Sequence, residues 1–111
     1  MTPLRSDIWA SAFVRRHNDL GRICVVVRRG DPIAGQIFIE VDHLNGTMSL
    51  FVPAPSALRP DEAGRVFQRR FERAPPDEVA ARIAREIAFD PDLWVLSLET
   101  RDGDPGIDVV E

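Results

Sequence analysis

A chain of 111 residues is one domain's worth of sequence, and at this length folding buries roughly two-thirds of the extended chain's surface, enough for one core without a structural metal. Hydrophobic residues at 44% and charged residues at 29% describe a globular chain and exclude a disordered or membrane-spanning composition. All fourteen basic residues are arginine, which excludes Schiff-base chemistry, a lysine general base and a phosphate-loop lysine.

The segment Met1-Thr2-Pro3-Leu4-Arg5 has no apolar run of the kind a signal peptide needs, and no stretch approaches ~18 apolar residues. Ser6 to Leu20 reads as a helix, with Ser6 as cap, Asp7 at the positive end of the dipole and Gly21 as a left-handed stop. Its inner stripe is Trp9, Phe13 and Leu20 flanked by Ile8 and Ala12, and His17 falls at the stripe's boundary. Arg22 to Arg29 is an unbroken apolar run with three consecutive valines, which predicts a strand covered on both faces. Cys24 lies inside it as the only cysteine, so no intrachain disulfide can form, and its neighbours predict a buried, inert thiol.

The loop Gly30-Asp31-Pro32-Ile33-Ala34-Gly35 reverses the chain, and Gln36 to Asp42 alternates as a second strand. Asn45-Gly46 is a strong hairpin signal, with Thr47 to Val52 as the partner strand. Pro53 to Gly64 has three prolines and no periodicity, so it reads as an exposed connection. Arg65 to Phe71 is a fourth strand with Phe67 and Phe71 on one face and arginines suited to a sheet edge. Pro75-Pro76-Asp77-Glu78 opens a second helix, whose inner stripe is Val79, Ile83 and Ile87 with Ala80, Ala84 and Ala88. Asp90-Pro91-Asp92 ends it, Leu93 to Leu98 is a fifth strand, and the acidic tail 101–111 is expected to fray. The fold class is therefore α+β: one domain over 1–111, a mainly antiparallel five-stranded sheet with two helices on one face, in the order α-β-β-β-β-α-β.

Candidate chemistry is sparse. Gly30 and Gly35 have the spacing of a phosphate loop, but Gln36-Ile37 replaces the lysine and hydroxyl residue that such a loop requires. Glu40 and Asp42 share a strand face, and a hydrolytic or metal-assisted enzyme would draw on Asp31, Asp42 or His43. His17 and His43 lack metal-ligand spacing, no serine sits in a nucleophile elbow, and no cofactor is implied. Residues 1–30 carry six arginines against two aspartates, and residues 90–111 one arginine against seven acids. Arg15, Arg16, Arg22, Arg28, Arg29, Arg65, Arg69, Arg70 and Arg73 could form a basic stripe for nucleic acid, but a pI near 5.1 argues against that partner.

Two polar clusters fill no core: Arg28-Arg29-Gly30-Asp31 and Asp90-Pro91-Asp92-Leu93-Trp94. If the fifth strand runs antiparallel to the first, they meet. Arg28, Arg29, Asp31, Asp92 and Trp94 are then the candidate binding residues, with the guanidinium groups as bidentate donors to an anionic group and Trp94 as an aromatic wall. The expected function is a small binding or interaction module for a protein or a small anionic ligand, in the cytoplasm and away from membranes.

Three segments together resemble domain-of-unknown-function family 1491, a small single-domain family of alphaproteobacteria. They are Ile8-Trp9-Ala10-Ser11-Ala12-Phe13-Val14-Arg15-Arg16, Val27-Arg28-Arg29-Gly30-Asp31-Pro32-Ile33-Ala34-Gly35, and Phe89-Asp90-Pro91-Asp92-Leu93-Trp94-Val95-Leu96-Ser97-Leu98-Glu99. The resemblance covers nearly the whole chain and implies membership alone, since no activity, cofactor or catalytic residue comes with it.

Overall fold

The first helix, α1 (Ser6–Asp19), forms where its helical spacing predicts and stops at Gly21, whose φ of +82° costs glycine nothing. It is rotated relative to the predicted stripe. Ser6, Ala10, Phe13 and His17 are buried, whereas Ile8 and Leu20 are 50% and 64% exposed. Ser6 is the first helical residue, not the cap. Its hydroxyl donates to the Gly35 carbonyl at 2.6 Å and accepts from Arg65 Nη2 at 2.8 Å. The structure, a computed structural model, describes residues 4–58 and 64–110; the part of the proline-rich connection at 59–63 lies outside the described residues.

Six strands are present among the described residues: β1 (Ile23–Arg28), β2 (Ile37–Asp42), β3 (Met48–Pro53), β4 (Val66–Ala74), β5 (Trp94–Glu99) and β6 (Asp108–Val110). The second helix, α2 (Pro76–Phe89), joins β4 to β5. They form one sheet in the order β1-β5-β2-β3-β4-β6, one strand more than the sequence predicts. The pairs β1–β5, β2–β3 and β3–β4 are antiparallel; β2–β5 and β4–β6 are parallel. The α+β class, the element order up to β5 and the mainly antiparallel sheet agree with the sequence reading.

The two helices lie on opposite faces, not on one. Ile37, Ile39 and Val41 of β2 pack with Trp94, Leu96 and Leu98 of β5 against Ala10 and Phe13 of α1. The intervening Phe38 and Val95 pack with Leu50 against Val79 and Ile83 of α2. Strand alternation sends neighbouring residues to opposite faces, so one strand feeding both clusters requires a helix on each. Hydrophobic pattern alone does not distinguish this from two helices sharing a face. Irregular pairing between β3 and β4 also separates Phe67, in the α1-side core, from Phe71, which packs on the α2 side. On α2 itself, Ala80, Ala84 and Ala88 are exposed and Val79 and Ile83 carry the contact.

The acidic tail, expected to fray, packs on the sheet over its described residues. Its end forms β6 beside β4, with Ile107 and Val109 packed against the α1-side core. Side chains from α1 and from Arg22, just before β1, fasten it. His17 Nε2 lies 2.9 Å from the Pro105 carbonyl, Arg16 donates to the Gly106 carbonyl, and Arg22 pairs with Asp102 at 3.4 Å. With Arg22 Nη1 3.0 Å from Nδ1, neutral His17 satisfies both ring nitrogens: Nδ1 accepts and Nε2–H donates. His17 is thus a fully buried residue rather than a boundary one.

Between β1 and β2 the chain must step over one strand position, because β5 later fills the gap. The loop at 30–35 therefore arches across the entry of β5. A Cβ on Gly30 would collide with the Asp92 carbonyl and lie 2.6 Å from the Leu93 carbonyl carbon. One on Gly35 would lie 2.5 Å from that same Asp92 oxygen and 2.9 Å from Trp94 Cδ1. The Asp92 and Leu93 atoms are backbone and cannot move aside.

Gly30→Ala is expected to cost about 1–3 kcal/mol or more of unfolding free energy, whereas Gly64→Ala, with open space around it, should stay within ~0.5 kcal/mol. Equal urea midpoints for the two variants would refute the close approach. Ile83→Ala should cost about 2–5 kcal/mol through the cavity left among Phe38, Leu50 and Leu93. Arg82→Ala, which loses a half-exposed pair with Glu86, should cost under ~1 kcal/mol.

Stability should also fall with acid. Burial lowers the pKa of His17 below its ordinary 6.5, helped by Arg16 and Arg22 and opposed by the Pro105 carbonyl and Asp104. Burial lowers that of His43 as well, with Arg73 adding to it. Folding thus releases protons just below pH 6.5, and stability that is full above that pH is lost as pH falls through it. Glu40, whose pKa is raised by burial from 4.5, opposes this trend just above that value. The urea midpoint should therefore be lower at pH 5.5 than at pH 7.5, and the difference should shrink in His17→Gln.

Candidate functional site

The two polar clusters meet as the antiparallel reading of β5 requires. Arg28 Nη2 donates to the Pro91 carbonyl at 2.7 Å, the Asp31 amide to the Asp92 carbonyl at 2.8 Å, and Trp94 Nε1–H to the Asp31 carbonyl at 2.8 Å. The Arg29 guanidinium lies over the Trp94 ring, 5.0 Å from its centroid. The Asp31 carboxylate accepts from the amides of Ile33 and Ala34 and so shapes its own loop. All five residues thus converge on the end of β1.

Their roles differ from the expected ones. Trp94 is 1% exposed, so its ring is a support under Arg29 and not a wall open to a ligand. Arg28 reaches a backbone carbonyl, not an aspartate carboxylate. Asp31 and Asp92 contribute backbone and turn hydrogen bonds at this junction. Arg29 and Asp92 are exposed.

The same junction leaves β1 at the rim of the sheet, paired on one side only. Cys24 and Val26 face α1; Cys24 is buried, and burial pushes its thiol up to about 11. Ile23 and Val25 point to the other face, which α2 covers over β3 and β4 but not over β1, and Val27 lies at the register irregularity. The three are 62%, 49% and 57% exposed. The expectation of a strand covered on both faces is therefore corrected: an all-apolar run does not reveal whether its second face has a cover. Natural sheets protect apolar edges of this kind, and here the Asn18 side chain takes both the N–H and the C=O of Cys24, while a register irregularity between Val26 and Arg28 and the arginines that follow close the strand's end.

Above this end of β1 lies a cleft of about 380 Å3, lined by Asp7, Ile8, Ser11, Ala12 and Arg15 of α1 and by Arg29. Arg15 belongs to the basic run noted in the sequence, but nothing in linear spacing pairs it with Arg29. The remaining arginines of that run are largely engaged inside the protein: Arg16 on Gly106, Arg22 on His17 and Asp102, Arg65 on Ser6, and Arg69 over the Phe51 ring.

The residues considered for catalysis have structural contacts. Asp42 accepts from the Leu44 amide at the hairpin, and His43, 4% exposed, lies 2.7 Å from the Ser49 hydroxyl. Glu40, on the same face as Asp42, hydrogen-bonds Ser97. Among the described residues, no three His, Cys, Asp or Glu side chains are grouped so as to hold a metal ion, and no helix is long and apolar enough to cross a membrane.

A comparison with curated proteins finds no match. Solved structures do match. A DUF1491 family protein from Caulobacter crescentus is 30% identical, with a TM-score of 0.81 over 99% of this chain and all of that one in its crystal structure. The same identity and TM-score, with full coverage of both chains, describe an NMR structure of a DUF1491 family protein from that organism. The protein Atu0922 from A. tumefaciens is 36% identical, with a TM-score of 0.77, over 89% of this chain and 87% of its own. The model of the family described as "Protein of unknown function (DUF1491)" matches residues 4–108, and the chain therefore belongs to that family.

Proposed function

We propose that the protein is a small cytosolic interaction module that engages a protein partner through the outer edge of β1. Arg28 and Arg29 stand at one end of that edge, and Asp31, Asp92 and Trp94 form the support behind them. The observation that carries this reading is the exposure of Ile23, Val25 and Val27 together on β1, a longer rim strand than the three-residue β6 at the other edge. Apolar side chains exposed together on a strand at the rim are disfavoured in a monomer unless a partner covers them. The hydrolytic or metal-assisted alternative draws less support, because Asp31 and Asp42 direct carboxylate oxygens to turn amides and His43 is buried against Ser49.

The test is capture of a partner from a lysate of the native bacterium by immobilised protein, with Val25→Glu as the blocking variant. Half-exposed Val25 tolerates the change within about 0.5 kcal/mol of stability, while a charge on the edge should cut the specifically retained protein about tenfold. Undiminished capture by a folded Val25→Glu variant would reject the reading.

A further inference from the structure

We infer that the partner of β1 docks as a basic amphipathic helix on the bare sheet face of β1, β5 and the end of β2, with its cations set against Glu40, Asp42 and Glu99. The inference rests on the proposed use of β1 by a protein partner and names the structure and charge of the element that docks there.

The edge itself is closed to an added strand. Asn18 of α1 accepts the Cys24 N–H at 2.9 Å and donates to the Cys24 carbonyl at 3.1 Å, so its side chain stands where a pairing residue would. The open surface is the face of the sheet, and strand register sets out its rows. Ile23, Glu99, Asp42 and Met48 lie side by side, and Val25, Ser97, Glu40 and Leu50 form the next row. Met48 and Leu50 belong to the cluster packed with Val79 and Ile83 of α2, so this is the face that α2 covers in part. The cover stops short of the rim: α2 packs chiefly on β3 and β4, while Ile23 and Val25 are 62% and 49% exposed. Strands about 4.8 Å apart make β1, β5 and β2 a strip roughly 10 Å wide, the width of one helix. A second helix therefore fits beside α2.

Charge decides which helix. Glu40, Asp42 and Glu99 lie between the apolar rim of β1 and the α2-side core, and among the described residues none of the three makes an ion pair. Glu40 is half-buried. Burial raises its pKa, and the like charge of Asp42 adds to this against the hydrogen bond from Ser97. Its charge therefore lacks a counter-ion in a place where a counter-ion is worth more than in open water. A lysine or arginine on the docked helix would supply one through a charge-assisted hydrogen bond, with its stem lying over Ile23 and Val25. Nucleic acid and anionic lipid are repelled by the same band. At the other end of β1 the sign reverses: Arg28 stands in the row of Val95, and Arg29 follows it. The basic residues of the helix thus belong at the Ile23 end, and the face sets the direction in which the helix lies.

The probes are two fluorescein-labelled helical peptides of about 18 residues that share a stripe of leucines, one flanked along its first half by lysines and the other by glutamates. In anisotropy titrations against the intact protein the lysine peptide should bind about tenfold more tightly, and Glu40→Gln/Glu99→Gln should remove that advantage with folding unchanged. The charge-matched Asp77→Asn/Glu78→Gln, at the exposed start of α2, should retain it. Amide shift changes in the NMR spectrum should centre on Ile23, Val25, Glu40 and Ser97. Equal affinity for the two peptides, or an advantage lost equally in both double variants, would overturn the basic assignment. Shifts confined to another face, or no binding of either peptide while Val25→Glu still abolishes partner capture, would overturn helix docking and leave the interaction reading standing. A concentration-dependent dimer in sedimentation, lost in Val25→Glu, would assign the face to a second copy and also overturn the inference.

Discussion

The close approach of two backbone segments at the entry of β5 organises this fold. β1 and β2 are consecutive in the chain but not neighbours in the sheet, so the loop between them must cross the mouth of the slot that β5 fills. Gly30 and Gly35 stand at the two crossing points, where any side chain would strike the Asp92 carbonyl. The loop then earns further contacts from what it touches: the Asp31 carbonyl takes the Trp94 indole N–H, and the Asp31 amide reaches Asp92. On its other side it closes the start of α1. The amides of Ser6 and Asp7, orphaned at a helix N-terminus, donate to the carbonyls of Ile33 and Pro32. The three segments by which the sequence resembles its family are therefore one physical junction, made of the start of α1, the arching loop and the first residues of β5.

From that junction the rest of the sheet follows. β5, reached from β4 through α2, lies between β1 and β2, pairing antiparallel with one and parallel with the other. That insertion buries Trp94, Leu96 and Leu98 under α1 and displaces β1 to the rim. α1 covers one side of β1, while α2 belongs to the opposite end of the sheet, over β3 and β4. The bare face of β1 is thus a consequence of topology. Two helices of fourteen residues cannot cover both faces of a sheet six strands wide.

Element types were legible in the sequence because each has a local cause. Gly21 stops α1, Pro76 opens α2, and alternation marks β2. Non-local properties were less legible. The rotation of α1 depends on Ser6 and His17, polar residues that become buried because the Gly35 and Pro105 carbonyls, 29 and 88 residues away in sequence, receive them. The tail looked disordered for lack of apolar mass, yet Ile107 and Val109 suffice once β4 offers an edge and Arg16, Arg22 and His17 fasten the intervening turns. At the candidate site, the convergence of Arg28, Arg29, Asp31, Asp92 and Trp94 was legible from the single assumption that β5 runs antiparallel to β1. Their division of labour was not. A tryptophan beside arginines reads equally well as a binding wall or as a buried brace, and only the closing of α1 over β5 decides for the brace.

That division bears on how such an edge could discriminate between partners. An exposed arginine on a mobile loop loses side-chain freedom when it binds, and this loss offsets much of a surface ion pair. Here the loop is held by the hydrogen bonds of Asp31 and by the close fit of Gly30 and Gly35, and the Arg29 guanidinium already rests on a ring that is itself fixed by Nε1. Arg28 is anchored to the Pro91 carbonyl in the same way. The ordering has been completed by folding, so less of it remains to be opposed on association. In the proposed interaction the apolar edge would supply contact, and the preset guanidinium a charged group at modest entropic cost. Both originate in the geometry that lets β5 enter its slot.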